Sequence, residues 1–264
     1  MDYRFVYRCF DREGFIGRMY MKKDDMKMSF NDLGIPEELD WDRIRHLMRI
    51  GILAGLLALT ADLVLGWGVS NESLSGFDYY FSRYLAVSDL RIIISAILGL
   101  VAIPLETLSY FAIYRLIVPF SKKDAHAYRS GLLGMFGFGA FTHVLCCMLV
   151  YVGKMLYLVD PVKAVSMIIK LGLWFLLPVS LLFLIFFILA QVVQIKAFRN
   201  GYTPYPKWCF IFNLFAGIVI NIVLKLFGNI AFINALGTGW ISLGSLWMLT
   251  GLLVMSKKLN DSKE

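Results

Sequence analysis

The sequence predicts an all-α fold: a polytopic integral membrane protein of six transmembrane helices with both termini in the cytoplasm. Three observations carry this. First, 59% of the 264 residues are apolar and 17% are charged, against roughly 45–50% and about 25% in a soluble domain. Second, six apolar runs each have the roughly 20 residues needed to cross a bilayer. Third, basic residues are divided unequally between alternate connecting segments, as the positive-inside rule requires. The same composition excludes a disordered chain and a secreted disulfide scaffold.

Residues 1–46 form an N-terminal arm. Within it, residues 1–42 mix seven basic with ten acidic side chains, with no apolar stretch of the secretory kind, so the arm reads as cytoplasmic. Met19, Met21, Met26 and Met28 offer later translation starts. Pro36 followed by Glu37 and Glu38 marks a helix start, with proline in the first turn and acids at the positive end of the dipole. A short interfacial helix near 36–46 follows from it and brings Arg43, Arg45 and Arg49 to the membrane edge. The transmembrane domain occupies 47–255, with spans at about 47–67, 91–120, 130–152, 164–190, 208–227 and 230–255. A polar segment separates the first two spans, and a tight hairpin at Gly228 and Asn229 joins the last two. Gln191 and Gln194 end the fourth span, where interfacial water accounts for them. Residues 256–264 form a cytoplasmic tail.

Segments 30–49, 115–129, 195–208 and 256–264 carry thirteen Lys and Arg residues, and the intervening ones carry six. This places both termini on the cytoplasmic side of the cell membrane. The net charge of +7 is therefore a topological signal, the partner it implies is the lipid bilayer, and nucleic acid is not expected. The four cysteines form no framework, and free thiols in a reducing compartment are expected.

An ionisable side chain at mid-membrane costs several kcal/mol, on the order of 3 even on lenient scales, so it calls for a partner or a role. Asp62, Glu106 and His143 are such residues. They lie thirteen residues from Arg49, fifteen from Arg91 and fourteen from Arg129, which puts all three in one layer at about 1.5 Å per residue. Each sits on the small, polar stripe of its helix: Gly51, Gly55, Ala58 and Gly66 accompany Asp62; Ser95, Gly99, Ala102, Ser109 and Tyr110 accompany Glu106; Gly139, Ala140, Cys146 and Cys147 accompany His143. Such stripes are where membrane helices pack closely. Pro104 frees the carbonyl of Leu100 and predicts a kink beside Glu106.

Two carboxyls and an imidazole can act as general acid and base, hold a metal through His143 and Cys147, or relay protons. The plain alternative is that they pair with one another, or with Ser95, Ser109, Thr142 and Tyr110, to fix helix register. Polar stripes at helical spacing (Asn213, Gly217, Asn221 and Lys225; Asn234, Thr238, Ser242 and Ser245) suit either a hydrated path or packing.

No phosphate loop, zinc-protease helix, C-x-x-C pair or serine-hydrolase elbow occurs in the chain, so no motif requires a cofactor. The leading expectation is a mid-membrane site with Asp62, Glu106 and His143 as catalytic groups. Tyr110, Asn213, Asn221 and Asn234 would contact a small lipophilic substrate. A proton- or ion-coupled transporter, dimeric because six spans are few, is the second. A scaffold whose buried charges only set packing is the third.

Overall fold

The computed structural model describes residues 7–10, 16–19 and 39–261. The chain divides into two units, Met1–Pro36 and Glu37–Glu264. In the first, β1 (Tyr7–Phe10) and β2 (Ile16–Met19) pair antiparallel, with Tyr7 opposite Met19 and Phe10 opposite Ile16. The rest of the described chain is helical, as the all-α expectation has it. The helix start expected at Pro36 and the later starts Met21, Met26 and Met28 lie outside the described residues.

The described part of the second unit is helical. Five stretches are long and apolar enough to cross a membrane: Trp41–Gly66, Asp89–Ile117, Lys122–Val159, Pro161–Arg199 and Trp240–Lys257. Helix α1 (Trp41–Gly66) opens where Asp40 Oδ1 accepts from the Arg43 N–H at 2.9 Å, an N-cap bond. Its buried stripe begins at once with Ile44 and Met48. There is no break before Gly66, so residues 41–46 are the first turns of this membrane-length helix and not a separate one.

Helix α2 (Gly76–Leu85) occupies the connection that the sequence presents only as polar; its Phe81 packs on Ala164 and Ile168. Helices α3 (Asp89–Ser109) and α4 (Phe111–Ile117) make the second membrane-length stretch, and α3 runs through Pro104 to break at Tyr110. Helix α5 (Lys122–Val159) has 38 residues, so its length of about 57 Å exceeds a hydrocarbon core of about 30 Å. The fourth stretch is α6 (Pro161–Leu171), a π-helical turn at Gly172–Leu176, and α7 (Leu177–Arg199). Pro178 has no N–H for the Trp174 carbonyl, and the wide turn lies at that gap.

The expected fifth span is not one helix. A 3-10 turn (Lys207–Ile211) is followed by an unwound stretch before α8 (Ala216–Lys225). Asn213 interrupts the helix by bonding locally: its Nδ2 donates to Phe210 O at 2.7 Å, and its Oδ1 accepts from Phe215 N at 2.8 Å. This is the competition by which Asn disfavours helix interiors. Helix α7 supports the interruption. Gln191 Oε1 accepts from Leu214 N at 2.9 Å, and Gln194 Nε2 donates to Phe212 O at 2.8 Å. Both glutamines are fully buried, which corrects their assignment to interfacial water.

The sixth span is also divided, into α9 (Ala231–Thr238) and α10 (Trp240–Asp261), at Gly239. The two interruptions lie together: a side chain at Gly217 would collide with the Trp240 carbonyl, and one at Gly244 with the Leu214 carbonyl. The hairpin expected at Gly228 and Asn229 is present, with Gly228 at φ +83°, a backbone region open to glycine.

Helix α1 packs on α3, α9 and α10; α5 packs on α3 and α7; and α8 packs on α10. At the start of α1, Trp41 meets Tyr205 edge to face, and the Tyr205 hydroxyl donates to Leu252 O at 3.0 Å. At its far end, Arg91 donates to Val64 O at 2.7 Å and Trp67 O at 3.0 Å, satisfying carbonyls that the helix leaves open. Asn229 bonds Ser70 through both its amide groups at that end, and Asn234 Nδ2 donates to Gly68 O at 2.9 Å. The outer faces carry exposed aliphatics such as Leu53, Ile97 and Ile185.

Candidate functional site

The small-residue stripes lie inside the bundle. Gly51, Gly55, Ala58 and Gly66 are buried on α1, and Ser95, Gly99, Ala102, Glu106 and Ser109 are buried on α3. They bring Asp62, Glu106 and His143 to one cavity of about 250 Å³. Leu65 joins Asp62 in its wall from α1. Ile103, Glu106, Thr107 and Tyr110 come from the second stretch, and Met135, Gly139, Thr142, His143 and Cys146 from α5. Phe183 of α7, Thr238 at the end of α9, and Trp240, Ile241 and Ser242 of α10 complete the wall.

His143 is held by α3. Its Nε2 lies 3.1 Å from the Ser95 carbonyl oxygen and 3.3 Å from Ser95 Oγ. A carbonyl only accepts, so Nε2 carries the proton in this arrangement. The ring lies against Gly99, where any Cβ would strike it. Nδ1 then faces Asp62 Oδ1 at 3.7 Å, close enough for an ion pair when the ring is doubly protonated.

Asp62 reaches the cavity beside the Gly239 interruption, where an added Cβ would stand 3.1 Å from its carboxyl. Its Oδ2 accepts from Ser242 Oγ at 3.0 Å. Glu106 is only 4% exposed, and its Oε1 has no hydrogen-bond partner among the described residues. The hydroxyls of Ser245 and Tyr110 lie close enough to interact with its carboxyl. Thr142 Oγ1 is likewise buried without a partner. In chemical terms the cavity wall carries two carboxyls, one of them engaged by Ser242, and an imidazole whose Nδ1 faces Asp62.

Of the other residues singled out in the sequence, Tyr110 lines the cavity. Asn213, Asn221 and Asn234 do not. Asn213 holds the unwound stretch, Asn234 is engaged at the far end of α1, and Asn221 faces Gly237. Cys147 turns to Ser95 Oγ at 3.6 Å, whereas Cys146 faces the cavity. Among the described residues no group of three or more His, Cys, Asp or Glu is arranged to hold a metal ion. Sequence reasoning missed the apolar wall of Phe183 and Trp240. The visible signal for Trp240 was its neighbour Gly239, the residue at which the last span divides.

Fold and cavity together define a helical bundle with five membrane-length helices and a largely apolar cavity into which three ionisable side chains are gathered. Residues 21–259 match the model of a family of unknown function, DUF6796, and the chain belongs to that family. No curated protein and no solved structure matches it.

Proposed function

We propose that this is a six-crossing protein of the cell membrane with both termini in the cytoplasm, and that its central cavity binds a small lipophilic molecule and exchanges a proton with it. The observation that carries the reading is the convergence of Asp62, Glu106 and His143 from three helices on one cavity. Intramembrane ionisable groups that face a shared chamber are characteristic of sites and relays. His143 and Asp62 supply the proton-exchanging pair, and Glu106 supplies a second carboxyl to position the ligand.

The six-crossing count is supported by the ends of the bundle. Tyr205 meets Trp41 at the start of α1, while Asn229 meets Ser70 beyond its end. The stretch between Tyr205 and Asn229 therefore travels the length of α1 even though it is interrupted. Those interruptions also favour a second reading, proton-coupled transport, because discontinuous helices at mid-membrane frame the sites of many transporters.

Glu106→Gln and His143→Ala test the proposal. With thermal stability in detergent retained, both lose conversion or uptake of lipophilic substrates. Uptake into liposomes without conversion selects transport, and full activity in both variants overturns the site.

A further inference from the structure

The lining of the cavity has a definite charge character. Two carboxyls and one imidazole face it, no Lys or Arg does, and three aromatic rings, of Tyr110, Phe183 and Trp240, form part of the wall. Asp62 Oδ1 is engaged only by His143 Nδ1 at 3.7 Å, and Glu106 Oε1 and Thr142 Oγ1 are buried in the wall without a hydrogen-bond partner among the described residues. The Glu106 residue is more than nine-tenths buried, so bulk water does not meet this demand.

From this we infer that the ligand of the cavity is a small organic ammonium. The inference rests on the reading of the cavity as a binding site and names the ligand class. A primary ammonium has three N–H donors and no acceptor, which suits a wall that offers two carboxyls and no Lys or Arg. Its charge is complementary to carboxyls and is attracted to aromatic faces. An anionic ligand would meet two acids with no cation to receive it. The volume of about 250 Å³ equals about eight waters at about 30 Å³ each, which sets the apolar part at a few carbons or one ring.

The test uses the purified full chain in detergent. Its thermal unfolding is followed with propyl-, butyl- and benzylammonium chloride, the matching alcohols, the matching sodium carboxylates, and sodium or potassium chloride at equal ionic strength. The ammonium series is expected to raise the melting temperature saturably. Apparent affinity falls tenfold or more in Glu106→Gln. It falls by a smaller factor in Thr142→Val, which preserves side-chain shape and keeps the experiment readable should the Glu106 variant fail to fold. Equal stabilisation by alcohols or carboxylates overturns the ammonium class while leaving the cavity a binding site, provided that the cavity-filling Gly139→Leu abolishes it. Stabilisation by sodium or potassium chloride alone replaces the organic ligand with an inorganic cation. Ammonium effects unchanged in both variants place the binding elsewhere and overturn the inference. Stabilisation by none of the series overturns the inference and the binding reading together.

Discussion

Gly99 and His143 are the tightest pairing in the site: the imidazole occupies the space where any other residue at 99 would put its Cβ. Gly99→Ala therefore overpacks the interface between α3 and α5 and forces the ring off the Ser95 carbonyl. A loss of about 1–3 kcal/mol is expected for such an insertion, read as a lower melting temperature in detergent. Because the clash is with the ring itself, His143→Ala in the same background should relieve it. The double variant is then less destabilised than the sum of the two single ones, a coupling that independent sites do not show. Ser242→Ala acts on the other side of the cavity by removing the donor to Asp62 Oδ2. Leaving that acceptor unpaired costs about 1–3 kcal/mol. Conservative replacement by Thr should restore most of it, since the hydroxyl is what Asp62 uses.

At the level of elements, the interruptions in the last two spans carry the most information. Residues 212–215 belong to no helix, and Gln191, Gln194 and the Trp247 indole (3.1 Å to Ile211 O) support the backbone there. Gln194→Leu should cost about 1–3 kcal/mol by orphaning the Phe212 carbonyl, and amide exchange should rise selectively between residues 211 and 217. A second element-scale prediction concerns pH. Asp160 caps α6, and the backbone N–H and ammonium of Lys163 hold its carboxyl below the ordinary value of 3.8. A carboxyl lowered in the folded state adds stability above its unfolded value, and that contribution is lost as pH falls through the folded one. Melting temperature should thus fall more steeply with acid below about pH 4 in the parent than in Asp160→Asn, which keeps the cap without the charge. These elements also separate what the sequence makes visible from what it hides. The stripes through Asp62, Glu106 and His143 were legible because one helical period governs α1, α3 and α5 across their buried faces. The unwound stretch was not, because residues distant in the chain satisfy its backbone. Asn213 at an i+4 step from Gly217 looks helical until its own side chain replaces the helical bonds. Gln191 and Gln194 looked interfacial for the same reason, since their partners lie about twenty residues away.

For the whole molecule, the decisive property is the direction in which each segment runs. Trp41 and Tyr205 share one end, and Ser70 and Asn229 share the other. Arg115 stands close enough to Arg43 to feel its charge, so the second stretch returns to the end from which α1 departs. Lys196 donates to Asp124 at 2.8 Å, which brings the end of α7 to the start of α5 in the same way. Successive long stretches are thus antiparallel, and on the six-crossing proposal the interrupted fifth segment carries the chain to the far end before α9 and α10 bring it back. In a bilayer, with the basic segments inside, Glu72 and Lys225 would face outward and Asn200 inward. Single cysteines at these three exposed positions, in a background without the native thiols, test this with a membrane-impermeant maleimide. Glu72→Cys and Lys225→Cys should react in intact cells, and Asn200→Cys only after permeabilisation. If Lys225→Cys instead reacts with the pattern of Asn200→Cys, the fifth segment turns back within the membrane. The chain would then have an odd number of complete crossings, and its C-terminus would lie on the opposite side from its N-terminus.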